Sequence, residues 1–316
     1  MFGFERSGTT LLSMMTGAHA DLAVPLSVTG LWYRYARRLD DYQQLSTRQD
    51  LERLVDDLLA EERIGLLDAH FQREAVLDDL PPGDFAAVIR RFHEIYAAQQ
   101  GKTHWGNLDI ATLTNMDVTN RLFPDARFIH IVRDGRDVAL SHETYVWGAA
   151  TTLDCAEQWL HEVRLNLKMG AMIGSERYLV IRYEDLILEA EQTLRRICDF
   201  IGVPYSEAML SYPGMVDQKI PDSRRFLWPV LNQPPDKSKV HVWRNRMGKN
   251  KRMVFEGIAN GLLKELGYDA YDRVPGYPGG YLYELWCFLN RGGRRDRILK
   301  KLGLKKPPAA NAKKAA

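Results

Sequence analysis

A chain of 316 residues, 45% of them hydrophobic, can bury a full core in one large α/β domain or two small ones. Its formal net charge of +2 is unevenly spread: the stretch from Arg291 onward holds ten basic residues and one acidic, leaving the first 290 at about −7, so charge gives no argument for nucleic-acid binding by the main domain. Cys155, Cys198 and Cys287 lack C-x-x-C spacing, no run approaches the roughly 18 apolar residues of a membrane span, and the start lacks the order of a signal peptide. Disulfides, a metal centre and a spanning helix are therefore not expected, and the expected location is cytoplasmic.

Only Met1 to Phe4 precede the turn of the first motif, fewer than the about 5 to 6 residues of a typical strand, so the first strand is expected to start upstream. The motif is GFERSGTT, residues 3–10. Gly3 and Gly8 have the spacing of a phosphate-binding G-x-x-x-x-G-K-[ST] loop, but Thr9 stands where the lysine belongs and the cation is Arg6. The following TTLLSMMTGAH has apolar residues at helical spacing and no proline, which places the loop at a helix N-terminus. Backbone N–H groups of Ser7, Gly8, Thr9 and Thr10, the threonine hydroxyls and the positive end of the helix dipole would then face an anion. The absent lysine normally reaches the β- and γ-phosphates of a triphosphate, which argues against ATP or GTP.

Residues 29–63 and the stretch from Asp84, DFAAVIRRFHEIYAAQQ, read as amphipathic helices, the second with an acidic cap. ARFIHIVRD, residues 126–134, and RYLVIRYEDL, from Arg177, are short β-rich apolar runs ending in charge, the pattern of buried parallel strands. Helical stretches near 152–172 and 189–202 alternate with them, giving an α/β fold. The segment 211–250 contains five prolines and reads as a long surface loop with helical fragments, and a last helix stops near Gly267. The expected division is a domain over 1–272 and an aromatic, basic extension over 273–316.

At the C-terminal edge of its strand, where open α/β sheets bind ligands, Arg133 can fork to a second phosphate, and Ser141 on the next helix can donate to the same oxygens. A nucleotide with phosphates at two positions on one ribose suits that layout better than a triphosphate. RSGTTLL, then FIHIVRDGRDVALS, then YEDL, in that order, resemble the sulfotransferases that use 3′-phosphoadenosine 5′-phosphosulfate (PAPS), over roughly Phe2 to Tyr268. The resemblance implies a P-loop-like parallel sheet of about five strands with helices on both faces. It also implies PAPS as sulfuryl donor without a metal, and a hydroxyl-bearing acceptor, less readily an amine.

On that resemblance Ser7 to Thr10 cradle the 5′-phosphate, Arg6 assists the transferring group, and Arg133 and Ser141 fix the 3′-phosphate. Tyr183 of YEDL contacts adenine, and Lys239 belongs to a segment that closes over the nucleotide. KTH, residues 102–104, resembles the triplet of the cytosolic small-molecule members, in which Lys102 would contact the sulfuryl group and His104, near neutral pKa, would take the acceptor's proton. Other members place an acidic base after the first helix; the matching segment here, LAVPLS, ends at Ser27 without a carboxylate.

Plainer readings stand beside these. His104 can be a structural histidine beside Trp105, Tyr183 a core aromatic, Lys239 part of a solvated basic loop, and Arg133 to Asp137 a surface ion-pair cluster. Residues 281–306 place aromatic side chains near one helical face ahead of dense positive charge, which suits either packing on the domain or peripheral contact with an anionic membrane at its inner surface. A degenerate P-loop kinase or NTPase and a non-catalytic nucleotide- or membrane-binding relative are the alternative functions. The acceptor and the oligomeric state are not encoded in these motifs.

Overall fold

The computed structural model describes residues 1–25, 30–67, 69–144, 149–215 and 233–271. The chain enters through a single parallel bridge. Phe2 pairs with His130, donating to Ile129 O at 3.0 Å and accepting from Ile131 N at 2.9 Å. After the glycine loop come α1 (Thr9–Gly17), β1 (Leu22–Ala23), α2 (Leu31–Ala36), α3 (Arg48–Leu59), α4 (Arg73–Leu77) and α5 (Phe85–Gln99). Thr47 and Asp50 close a capping box on α3, and the acidic cap expected for α5 is Asp84, whose carboxylate accepts from Ala87 N at 2.9 Å.

Next are β2 (His104–Trp105), α6 (Met116–Leu122), β3 (Phe128–Val132), α7 (Gly135–His142), α8 (Thr152–Ile173), β4 (Tyr178–Arg182), α9 (Tyr183–Leu188) and α10 (Ala190–Ile201). Beyond a 3-10 turn at Glu207–Met215, α11 (Trp243–Arg246) and α12 (Lys249–Glu265) complete the described elements. The expected helix stop near Gly267 and both long strands are present. The middle of the proline-rich segment, 216–232, and the extension 273–316 with its membrane reading lie outside the described residues. Among the described residues no helix is long and apolar enough to cross a membrane.

Two parallel pairs, β1 with β2 and β3 with β4, form the regular sheet. The chain start joins them: the Met1 amino group donates to Asn107 O at 2.7 Å, and Asp109 N donates to Met1 O at 3.1 Å. The order is β1, β2, the N-terminal residues, β3, β4, so the five expected parallel positions exist, with the middle one only two residues long. All five residues of β3 are buried, as an apolar run covered on both faces requires. Ile129 and Ile131 pack with α1, α9 and α10, among them Leu12, Leu186 and Leu194. The alternate residues face the other way, where Phe2 stacks on His130 with ring centroids 4.7 Å apart. On that side Ala23 and Trp105 meet Tyr96 and Ala97 of α5.

The chain divides into two compact units. Met1–Asp134 with His161–His241 carries the whole sheet; Gly135–Leu160 with Val242–Ala316 is the second. Within the second unit Arg136 is fully buried, donating to Glu256 Oε1 at 2.7 Å and lying 3.6 Å from the Trp243 ring centroid, and Asp137 Oδ1 accepts from Trp243 N at 2.7 Å. A buried guanidinium is tolerable only with such a carboxylate partner.

Candidate functional site

The loop turns tightly, Ser7 N donating to Phe4 O at 3.1 Å. Two glycines are needed for steric reasons. A Cβ on Gly3 would lie 2.4 Å from Ile131 O, and one on Gly8, whose φ is +92°, would lie 2.4 Å from Cδ2 of Tyr183. Arg6 also adopts a left-handed backbone, φ 66°, and its side chain is on the exposed part of the loop. Holding a non-glycine residue there costs about 1–2 kcal/mol, the kind of strain that concentrates at binding sites.

The loop feeds α1 without a side-chain cap: Gly8 is the N-cap, and the first amide to bond inside the helix is Leu12 N, to Gly8 O at 3.0 Å. The preceding amides of the first turn have no intrahelical partner. Ser7 is fully buried, and its Oγ has no hydrogen-bond partner among the described residues. A buried hydroxyl left this way costs free energy unless a ligand accepts from it or donates to it. Together with the uncapped helix start, it leaves the loop with donors suited to an anion.

Arg133, one residue past β3, reaches this loop. Its guanidinium donates to Arg6 O at 3.1 Å and to Lys239 O at 2.8 Å, and lies 4.5 Å from the centroid of the Tyr183 ring, the same ring that lies against Gly8. Arg6, Ser7, Gly8, Arg133, Tyr183 and Lys239 are thus brought together. Tyr183 is only 9% exposed and forms the floor of the loop. Lys239 contributes its carbonyl here, while its ammonium is exposed and 3.9 Å from Asp236. Thr9 is buried and Thr10 half-buried in the first turn of α1. Ser141 lies near the end of α7 in the second unit, its carbonyl accepting from the Thr144 hydroxyl at 3.1 Å.

Lys102 and His104 are elsewhere. Lys102 Nζ donates to Gly17 O at 2.7 Å and Leu22 O at 3.2 Å, closing the C-terminal end of α1. That helix has nine residues and starts at the loop, so at 1.5 Å per residue about 13 Å separates the ammonium from the glycine turn. His104 opens β2 opposite Leu22, is exposed, and has Nδ1 2.9 Å from the Thr103 hydroxyl. The sulfuryl-contacting role for Lys102 and the base role for His104 are corrected accordingly: both sit at the N-terminal edge of the sheet, and the loop sits at the other. Burial lowers the Lys102 pKa, with Asp21 opposing that shift, which fits a capping ammonium.

Three carboxylates lie on or beside the entering strand, the loop and the turn after β3; Asp109 and Glu5 are the two that sequence reasoning missed. Glu184 Oε1 accepts from Asp134 N at 3.0 Å and so fixes the turn after Arg133. Asp109 is buried, accepts from Gly30 N at 2.9 Å and Ala111 N at 2.9 Å, and has its pKa raised by burial against those two bonds. Glu5, on the loop itself, is half-buried; burial raises its pKa and Arg6 opposes the shift, and its charge in turn helps burial raise Glu162. The sequence signal for Glu5 is its place next to Arg6 inside the loop.

Comparison with known proteins gives the family and the fold. A family model described as "Sulfotransferase family" matches residues 1–207. A protein-tyrosine sulfotransferase of Drosophila melanogaster is 25% identical over 286 residues, covering 87% of this chain and 52% of the fly protein. Protein-tyrosine sulfotransferase 2 of Gallus gallus is also 25% identical over 286 residues, covering 87% of this chain and 70% of the relative. The chain therefore spans about half the length of the fly relative. Among solved structures, the sulfotransferase domain of the Synechococcus PCC 7002 olefin synthase superposes with a TM-score of 0.57 at 22% identity, over 85% of this chain and 95% of that one. The sulfotransferase domain from the curacin biosynthetic pathway gives 0.54 at 18%, over 85% and 97%. These two share the fold.

Proposed function

Because this chain belongs to the sulfotransferase family, we propose that it moves a sulfuryl group from PAPS to a hydroxyl on an acceptor molecule. The observation that carries the reading is the buried, unpartnered Ser7 hydroxyl in a glycine loop at an uncapped helix start, with the Arg133 guanidinium against the same loop. PAPS supplies an activated sulfuryl group on its 5′-phosphate. Ser7 and the amides of Gly8, Thr9 and Thr10 bind that end, and Arg6, on the exposed side of the turn, faces the charge that develops on transfer. A sulfuryl group carries less negative charge than a γ-phosphoryl, so fixed backbone donors and one or two cations suffice without the P-loop lysine.

Arg133 offers a cation for the 3′-phosphate, and Ser141, eight positions on, is its proposed partner. With His104 at the far end of α1, Glu5 is the titratable group that the loop itself carries, and we assign it the acceptor's proton. The names of the curated relatives make a peptide tyrosine the first acceptor to test, ahead of sugars and lipids.

The test is calorimetric titration with 3′-phosphoadenosine 5′-phosphate, with ATP and Mg²⁺, and with AMP, followed by transfer from labelled PAPS to a tyrosine peptide. Selective binding of the bisphosphate and label on the peptide are expected. Preference for ATP with Mg²⁺ would revive the kinase reading. Bisphosphate binding without transfer to any hydroxyl would identify a non-catalytic relative.

A further inference from the structure

β3 and β4 are in register from Phe128 with Tyr178 to Val132 with Arg182. Phe128 N donates to Arg177 O at 2.7 Å, and parallel ladders alternate, so every second residue after Phe128 turns its amide toward β4. Asp134 N is the next amide of that series beyond Val132, and its ladder acceptor would be Tyr183 O. β4 ends at Arg182, however, and Tyr183 opens α9, where the backbone carbonyls turn along the helix axis. The regular ladder therefore stops one rung short of Asp134, a fully buried residue whose amide needs an acceptor.

Glu184 supplies that rung. Its Oε1 accepts from Asp134 N at 3.0 Å, its Oε2 lies 3.8 Å from Arg182 Nε, and the residue is only 1% exposed. Arg133 is thus flanked by the last ladder residue, Val132, and by an anchored Asp134, so its backbone is fixed from both sides. Ile129 and Ile131 pack with α1 and α9, and Arg133, in the same phase of the alternation, leaves the strand on that face. There its guanidinium meets Arg6 O, Lys239 O and the Tyr183 ring. Two successive residues of α9 therefore hold two successive residues past β3: Tyr183 lies under the Arg133 side chain, and Glu184 binds the Asp134 amide.

We propose that Glu184 is a positioning residue for the nucleotide: its carboxylate completes the ladder beyond β3, aims the Arg133 guanidinium, and so sets the preference for a 3′,5′-bisphosphate over a 5′-monophosphate. The inference rests on the assignment of Arg133 to the 3′-phosphate. The role is one of bond geometry, so an amide oxygen at the same place serves equally well. A side chain shorter by one carbon, about 1.5 Å, leaves the Asp134 amide beyond hydrogen-bond reach.

The experiment measures binding of 3′-phosphoadenosine 5′-phosphate by calorimetry and of AMP by competition, with Tm beside each. The proteins compared are the unaltered chain, Glu184→Gln, Glu184→Asp, Glu184→Ala, Arg133→Ala and the double variant Arg133→Ala/Glu184→Asp. The readout is the ratio of the AMP Kd to the bisphosphate Kd. Glu184→Asp and Glu184→Ala are expected to lower that ratio at least about tenfold, and Glu184→Gln to keep it within about threefold. With Arg133 already replaced, Glu184→Asp is expected to leave the ratio unchanged within about twofold. Glu184→Asp keeps the charge and nearly the whole side chain, so it serves where the alanine variant does not fold.

A carboxylate that merely supports the fold would lower Tm in Glu184→Asp and leave the ratio as it was, and that result would overturn the proposal. Equal losses in Glu184→Gln and Glu184→Asp would overturn it too. A ratio that collapses in Arg133→Ala but not in Glu184→Asp strikes Glu184 alone. A ratio unmoved by Arg133→Ala strikes the 3′-phosphate assignment, and this inference with it.

Discussion

Replacing Gly8 by alanine tests the loop most directly. The added methyl would sit 2.4 Å from Cδ2 and 2.8 Å from Cε2 of Tyr183, and ordinary carbon contacts need about 3.5–4.0 Å, so loop and ring must separate by about 1 Å. The ring cannot recede freely, being buried and held under the Arg133 guanidinium. Overpacking of this kind costs about 1–3 kcal/mol. A left-handed φ of 92° adds about 1–2 kcal/mol for any residue with a Cβ. Urea unfolding should thus show G8A destabilised by about 2–5 kcal/mol, and titration should show the bisphosphate bound at least about tenfold more weakly because the amides have moved. Made in a Tyr183→Ala background, the same change should cost only the backbone part, about 1–2 kcal/mol. A loss below about 1 kcal/mol, or an equal loss with and without the ring, would refute the steric account.

Arg133→Ala should weaken bisphosphate binding at least about tenfold, the loss of a charge-assisted contact, as read by calorimetry. Glu5→Gln should lower turnover about 100-fold with bisphosphate affinity nearly intact; near-normal turnover would move the base elsewhere. His104→Ala should leave turnover within about threefold, and Lys102→Met should do the same while costing about 1–2 kcal/mol in urea unfolding through the lost cap on α1. His130 is fully buried and its pKa is pushed down to about 3, so the unfolded chain binds a proton that the folded chain refuses between about pH 6.5 and 3. Its contribution is complete above pH 6.5 and is lost as pH falls, at about 1.4 kcal/mol per unit; His130→Asn should flatten that acid limb in unfolding measured from pH 7 to 4.5.

β3, β4 and the helices beside them were legible because their apolar runs are long enough to show a period, and the loop because its glycines and Arg6 have fixed spacing. β1 and β2 were not, at two residues each. The KTH triplet misled for a related reason. Residue identity does not say at which end of a strand it falls, and here Lys102 precedes β2, whereas ligands of open parallel sheets gather beyond the strands' C-terminal ends. Tyr183 was read both as a ligand contact and as a core aromatic; its position under Gly8 and Arg133 makes it the loop's support.

The run from Arg133 to Asp137 has a consequence for which sequence changes the fold can accept. Arg133 and Asp134 serve the first unit, through Arg6, Lys239 and Glu184, while Arg136 and Asp137 serve the second, through Glu256 and Trp243. Four of five successive residues therefore have assigned partners in different parts of the chain. Inserting one residue between Arg136 and Asp137 would turn the two apart by about a further 100° around the α7 axis, so that Glu256 and Trp243 of the same unit could no longer both be met. Single substitutions can be absorbed one contact at a time, but the spacing of this pair is locked.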